Sequence, residues 1–247
     1  MRAGRDPGVR TGAVYARPMD LLEVLRTTGA VRQFRPDPIP DDVVHRILDV
    51  ARFAPSGGNR QAWRVVVIQD RATRRALRDL YLPPWYEYLA IREAGLVPWA
   101  PVTDLAAEAE ASGRAGEVAA RGGDTSGGFA EHFDEVPVLL AVFADLGALA
   151  AVDRGFDRYT FAGGASIYPF VWNILLAARA EDLAGVVTTM PVRAEEAVKE
   201  LLGAPDHLAL AAVVALGRPQ RQPRRLTRQP VEAGKRLDRL DGAPFAP

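Results

Sequence analysis

The residues best suited to ligand chemistry lie in one short polar loop between a predicted helix and a predicted strand. In this loop, residues 55–61, Pro55 precedes two adjacent glycines, and the short polar side chains of Ser56, Asn59 and Gln61 surround them. Glycine lets a backbone approach a ligand closely or adopt a positive φ. The pattern therefore indicates a site where a flat polar ligand lies against the backbone. An ordinary helix-to-strand turn is the alternative, because a glycine loop alone is a weak signal.

Arginines form the second group of candidate binding residues. Arg26, Arg32 and Arg35 flank a patch of small residues in segment 26–40, and three prolines exclude a regular helix there. Guanidinium groups bind phosphate through paired hydrogen bonds. These arginines indicate a phosphate site or, as the alternative, a solvated basic loop.

Conventional catalytic groups do not stand out in the sequence. The histidines, His45, His132 and His207, lie in unrelated contexts without metal-ligand spacing, and the chain contains no cysteine. It also has no nucleophile elbow, Walker loop or Rossmann glycine motif. We therefore expect no metal site and no catalytic side chain, and an enzyme of this kind would take its reactivity from a cofactor.

Hydrophobic periodicity predicts the elements that position the polar loop. An apolar run at helical spacing, residues 43–54, leads into it, and residues 63–68 read as a buried strand. A capped helix is predicted over 71–81, and the pattern breaks down over 82–135. A long segment of this kind is usually a lid, a binding loop or a disordered arm. Its aromatic residues are candidates for a substrate ceiling, a subunit interface or both. The candidate substrate-binding residues are Trp85, Tyr86 and Trp99.

The second half of the chain alternates strands and helices. The predicted strands are 136–143, 183–190 and 208–216, and the predicted helices are 167–180 and 193–202. The helix over 167–180 has a wide apolar stripe, which indicates central burial, between two subunits as one option. Between the first of these strands and this helix, four charged residues are expected to be exposed. They are Asp153, Arg154, Asp157 and Arg158.

Composition limits the function classes. The chain has 31 Lys and Arg against 31 Asp and Glu, so no net charge attracts it to nucleic acid or to an anionic membrane. No apolar run approaches the length of a membrane span. The absence of cysteine fits a cytoplasmic protein. The length of 247 residues predicts one domain over 19–247, and the Arg-, Gly- and Pro-rich residues 1–18 are predicted to be a disordered leader.

Four segments in the same order resemble the FMN-dependent nitroreductase family. They are residues 32–38, 54–63, 165–180 and 216–219, and the resemblance spans residues 20–231 with a poor match over 82–135. It implies an α+β, nitroreductase-like fold with a central, mainly antiparallel sheet flanked by helices. It also implies an intertwined homodimer with two FMN molecules at its interface, and a C-terminal extension, residues 218–247, that reaches the partner subunit.

The resemblance further implies roles for individual residues. Arg32 would reach the ribityl and pyrimidine side of the flavin, and the turn that follows the 183–190 strand would offer a backbone N–H near flavin N5. Arg225, with Arg224, would bind the FMN phosphate. The implied cofactor-binding residues are Arg32, Pro55, Ser56, Gly57, Gly58, Asn59, Gln61, Thr188, Thr189, Met190, Arg224 and Arg225.

One departure from the family pattern concerns the phosphate. Many members carry two arginines and a serine just before the position of Arg32, where this chain has Thr28, Gly29 and Ala30. The expected phosphate contact therefore shifts to Arg225, to Arg224 or to Arg26. Gly29 and Ala30 could equally leave room for a different ligand.

The resemblance implies an NAD(P)H-dependent FMN oxidoreductase. A hydride would pass from NAD(P)H through FMN to a nitroaromatic, a quinone or a similar conjugated acceptor with ping-pong kinetics. Two alternatives are a flavin-dependent oxidase or dehydrogenase of a specialised metabolite that uses O2, and a flavin-binding protein without turnover. The expected partners are a second copy of the chain and a small-molecule acceptor, with no nucleic acid and no membrane.

Overall fold

The computed structural model describes residues 20–123 and 128–245, so the predicted leader over 1–18 lies outside the described residues. Within these ranges the chain forms seven α helices and four strands. The helices are α1 Leu21–Thr27, α2 Asp41–Ala51, α3 Arg71–Glu93, α4 Leu105–Ser112, α5 Ala115–Ala120, α6 Tyr168–Ala180 and α7 Glu195–Leu202. The strands are β1 Trp63–Ile68, β2 Val138–Asp145, β3 Ala184–Thr188 and β4 Leu208–Gly217.

The four strands form one sheet in the order β1-β2-β4-β3, and every neighbouring pair is antiparallel. Ala30 extends the free edge of β3 through a single parallel bridge to Gly185. The segment that leads to Arg32 therefore lies along the β3 edge. The predicted α+β fold with a mainly antiparallel sheet flanked by helices is confirmed.

The sheet is buried on both faces. Leu140 and Val142 of β2 face the core that α2 and α6 cover, whereas Leu139 and Phe143 face the core under α3 and α7. Because both faces pack against helices, β2 reads as an uninterrupted apolar run rather than an alternating pattern. Among the described helices, none has both the length and the apolar composition that a membrane crossing requires.

The predicted break at Leu82 is wrong, because α3 continues without interruption to Glu93. Pro83 and Pro84 lie inside this helix although proline removes a backbone donor and disfavours a helix interior. The second half of α3 is stabilised by tertiary packing, since residues such as Leu89 and Ile91 are fully buried and the helix packs against α4 and α5. Burial outweighs the local preference here, and the prolines hid the helix from a reading based on propensity.

The expectation that Asp153 is exposed is also wrong. Its side chain is buried and accepts hydrogen bonds from the N–H groups of Phe161 (2.7 Å) and Ala162 (3.1 Å). It also pairs with Arg158 at 3.2 Å. The carboxylate thus closes the loop between β2 and α6. Its partners are mainly backbone groups eight and nine residues further on, which side-chain patterns do not reveal.

Candidate functional site

The polar loop, residues 55–61, adopts a strained left-handed backbone. It contains a short 3₁₀ helix, Gly57–Asn59, and φ is 60° at Gly58, 52° at Asn59 and 50° at Gln61. Glycine accepts such a φ readily, whereas each non-glycine residue there costs on the order of 1–3 kcal/mol. Strained residues of this kind cluster at ligand sites and switches. The two non-glycine residues with this backbone, Asn59 and Gln61, are both predicted cofactor-binding residues.

Two serines fasten this loop. The Gln61 N–H donates to Ser56 Oγ at 3.0 Å within the loop, and the Gly57 N–H donates to Ser166 Oγ at 3.0 Å. Ser166 is buried in the 3₁₀ helix that precedes α6. The sequence reading assigns Ser166 no role, although it lies in one of the four segments that carry the family resemblance. At the end of the loop, Trp63 stacks on Phe170 of α6 with ring centroids 4.7 Å apart.

A second group of predicted site residues lies at the β3 edge. Arg32 is exposed just beyond the Ala30 bridge, and Thr188 is the buried last residue of β3. Thr188 Oγ1 accepts the Met190 N–H at 3.3 Å and lies 3.1 Å from the Tyr81 hydroxyl. Burial raises the pKa of Tyr81, and the bond to Thr188 and the positive charge of Arg32 oppose that shift. The Ala30–Gly185 bridge and the hydrogen bond from the Val31 N–H to the Gly185 carbonyl place Arg32 beside β3, the strand that ends at Thr188.

The tail arginines surround a cavity of about 340 Å³ beside α1. Gln222 fixes the tail by donating from Nε2 to the Thr27 carbonyl at 3.2 Å. The cavity is lined by four arginines and two leucines and by no acidic residue. The lining residues are Leu25, Arg26, Arg224, Arg225, Leu226 and Arg228. The structure thus brings together the three arginines, Arg26, Arg224 and Arg225, to which the sequence reading shifts the phosphate contact.

Gly29 explains how the tail reaches α1. A Cβ at this position would lie 2.7 Å from Leu226 Cδ2 and 3.7 Å from Pro223 Cγ. The tail therefore occupies the space into which a larger residue at position 29 would project. The same packing that crowds position 29 places the tail beside α1, next to the cavity that its arginines line.

The aromatic candidates form a cluster beside the 3₁₀ helix Met190–Ala194. Trp85 and Tyr86 lie on the part of α3 that the sequence reading misses, and Trp85 stacks on Tyr88 with centroids 5.4 Å apart. Tyr88 lies 6.1 Å from Trp99, and the Arg193 guanidinium lies 4.8 Å from the centre of the Trp99 ring. The cluster is half-buried and packs next to the turn that carries Met190.

Two separate groups of residues thus carry the predicted site. The polar loop leads into β1, whereas Arg32 and the Thr188–Met190 turn lie at β3, on the opposite edge of the sheet. Three inter-strand steps of about 4.8 Å place these edges roughly 14 Å apart, and helices cover both faces between them. Within one chain the two groups therefore lie at opposite edges of a sheet that is covered on both faces.

Sequence comparison links the chain to known proteins. The sequence model of the Nitroreductase family matches residues 25–218. The NADH dehydrogenase of Thermus thermophilus is 31% identical over 230 residues, covering 82% of this chain and 88% of the relative. The 5,6-dimethylbenzimidazole synthase of Rhodobacter capsulatus is 32% identical over 205 residues, covering 81% and 84%.

Among solved structures, a BluB-like flavoprotein from Clostridium difficile has the same fold, with a TM-score of 0.63 at 21% identity and coverage of 87% of this chain and 97% of that one. The family match includes the polar loop, Arg32 and the Thr188–Met190 turn but ends before the tail arginines.

Proposed function

The chain belongs to the nitroreductase family of flavoprotein oxidoreductases, and we propose that it uses FMN and NAD(P)H to reduce a nitroaromatic, a quinone or a similar conjugated acceptor. The observation that carries this proposal is the positive φ of Asn59 and Gln61 in the polar loop, which lies inside the family match. When bound, FMN supplies the two-electron redox chemistry, and the chain supplies position and charge.

The charge of the cavity beside α1 and the shape of the polar loop both fit FMN. The cavity beside α1 presents four guanidinium groups, which suit a phosphate dianion through paired, charge-assisted hydrogen bonds. The exposed glycines of the loop, Gly57 and Gly58, leave the backbone open to a flat ring. Arg32 brings a positive charge to the pyrimidine side of that ring, and the Thr188–Met190 turn adds backbone groups at its reactive edge.

A homodimer is part of this proposal, because one chain separates the two groups by the width of its sheet. We propose that one subunit supplies the loop and its partner supplies Arg32, the turn and the tail arginines. Exposed apolar side chains on α1 and α6, which lie against each other, support a subunit interface there. They are Leu21, Leu22, Leu25, Tyr168 and Trp172.

Anaerobic reduction tests the proposed activity. Purified protein loaded with FMN is mixed with NADH or with NADPH, and the flavin absorbance is followed. We expect at least one nucleotide to bleach the flavin, and a nitroaromatic or quinone to restore the colour. Failure of both nucleotides to bleach bound flavin would contradict the reductase proposal. Sedimentation of the same sample tests the dimer, because a dimer has twice the monomer mass of 26.8 kDa.

A second candidate function is a flavin-dependent oxidase or dehydrogenase of a specialised metabolite with O2 as acceptor. Its support is the similarity to the 5,6-dimethylbenzimidazole synthase, whose name denotes a synthesis rather than a reduction. The two functions differ in the acceptor that restores the flavin colour. In a reductase, the reduced flavin regains its colour faster with a quinone or nitroaromatic than with air. In the oxidase, the flavin regains its colour with O2 and does not react with either compound.

A further inference from the structure

We infer that Tyr81 is a positioning residue for the redox site, because its buried hydroxyl holds the turn formed by Thr188, Thr189 and Met190. The inference rests on the proposed function, in which this turn lies at the reactive edge of FMN. Tyr81 comes from α3 and Thr188 from the end of β3. Their contact ties the helix that carries the aromatic cluster to the turn that would face the flavin.

The surroundings of Tyr81 make its orientation specific. The side chain is only 3% exposed, its ring stacks on Phe133 with centroids 4.6 Å apart, and its hydroxyl lies 3.1 Å from Thr188 Oγ1. A phenylalanine would keep the ring and its packing and would remove only the hydroxyl. The hydrogen bond can therefore be tested separately from the core.

The contact between Tyr81 and Thr188 anchors the turn through the Thr188 oxygen. Within residues 20–123 and 128–245, Thr188 is the single hydrogen-bond partner of the Tyr81 hydroxyl, and either oxygen can donate. Thr188 Oγ1 also accepts the Met190 N–H at 3.3 Å, so the same oxygen joins Tyr81 to Met190. Loss of the Tyr81 hydroxyl would loosen Thr188 and, through it, Met190.

Electrostatics keep Tyr81 in the form that can donate. Burial raises its pKa, and the charge of Glu131 and the nearby Tyr88 act in the same direction. The bond to Thr188 and the positive charge of Arg32 oppose this shift but do not reverse it. The hydroxyl therefore stays protonated at neutral pH, and its contact with Thr188 is a bond between two neutral hydroxyl groups.

Hydrogen exchange of the FMN-free protein tests the positioning role directly. In Tyr81→Phe, the amide of Met190 should exchange about twofold to tenfold faster than in the wild type, which is the worth of one hydrogen bond. Tyr88→Phe, which removes a phenol from the same helix without touching Thr188, should leave this exchange unchanged. Unchanged exchange in Tyr81→Phe would overturn the inference, whether or not the protein turns out to be a reductase.

The FMN-loaded protein tests the consequence for the reaction. Tyr81→Phe and Thr188→Val should each slow flavin reduction by NAD(P)H about twofold to tenfold, and the double variant should equal either single variant. FMN affinity should change by less than about twofold. Additive effects would overturn the inference. A wild-type flavin that never bleaches would instead defeat the proposed function and leave the exchange result standing.

Thr188→Ser covers the case in which Tyr81→Phe does not fold. Serine keeps the oxygen that bonds to the Tyr81 hydroxyl and to the Met190 N–H, so Thr188→Ser should retain slow Met190 exchange while Thr188→Val loses it. Equal exchange in these two variants would contradict a role for the Thr188 oxygen and with it the role of Tyr81.

Discussion

The polar loop beside β1 and the predicted binding arginines on the other side of the sheet are built in opposite ways. The loop is seven consecutive residues whose left-handed backbone and internal bond from Gln61 to Ser56 arise locally. The arginine group comprises Arg32 at the β3 edge and the tail arginines of the cavity beside α1, and it is assembled by tertiary contacts. Ala30 bridges to Gly185 next to Arg32, and Gln222 holds the tail against Thr27 of α1. Local turn chemistry can be read from residue types, whereas an assembled site depends on contacts that residue types do not specify.

The largest effect is expected from removing a tail arginine of the arginine group. Arg225→Ala removes one guanidinium from the cavity beside α1, and a charge-assisted hydrogen bond contributes about 1.5–3 kcal/mol. FMN affinity should fall by roughly one to two powers of ten, measured by flavin fluorescence titration. Arg236→Ala is the matched control, because this exposed tail arginine bonds to its own neighbouring backbone. An unchanged affinity in Arg225→Ala would place the phosphate elsewhere.

A smaller effect is expected at the local loop. Ser166→Ala removes the acceptor of the Gly57 N–H, and a neutral hydrogen bond contributes about 1 kcal/mol. FMN affinity should fall about threefold to tenfold, with a lower melting temperature. Ser112→Ala at the end of α4 provides a serine deletion away from the loop. If Ser166→Ala bound FMN as tightly as the wild type, the loop would hold its shape without outside support, and the contrast with the β3 edge would be sharper.

The sequence predicts most of the fold and the loop for the same physical reason. Strands such as β2 and β4 and helices such as α6 bury long apolar patterns, and the proline and glycines of the loop mark its turn. What the sequence does not reveal depends on distant partners. The second half of α3 forms because tertiary packing overrides Pro83 and Pro84, and Ser166 acts on a backbone group 109 residues away.

The same distinction applies within the arginine group. Family resemblance indicates Arg224 and Arg225, yet only the structure explains why Gly29 replaces a larger residue. The close approach of Leu226 crowds this position, and that contact joins residues distant in the sequence. The predicted roles of these residues, and of Trp85, Tyr86 and Trp99, remain predictions for the experiments.

A modest effect is expected from crowding the tail. In Gly29→Ala the new methyl would meet Leu226 Cδ2 at 2.7 Å, but this atom ends a flexible side chain that can turn away. FMN affinity should fall only about twofold to fourfold as the tail arginines shift, since mild overpacking costs about 1 kcal/mol or less. Adding Leu226→Ala should restore the affinity by making room. If the double variant binds no better than Gly29→Ala alone, the tail does not transmit the crowding to the arginines.

The smallest expected effect is a pH dependence of stability at the β1 side. There Ala150, three residues before Asp153, lies 3.7 Å from the position that a Cβ on Gly57 would occupy. The Phe161 N–H is the main group that lowers the pKa of Asp153, with further help from the Ala162 N–H and Arg158. A lowered folded pKa means that Asp153 stabilises the fold above its unfolded pKa of about 3.9 and loses this contribution as the pH falls through the folded value.

Melting curves of the wild type and Asp153→Asn should therefore differ at neutral pH and converge below about pH 4. Asparagine keeps an acceptor oxygen and the shape of the side chain, so the variant isolates the charge. Since only the charged form gains from the three donors, a difference that persists unchanged into acid would mean that packing of the side chain, rather than its ionisation, closes this loop. In that case long-range charge would not stabilise the β1 side, whereas charge is the main feature of the arginine group on the other side of the sheet.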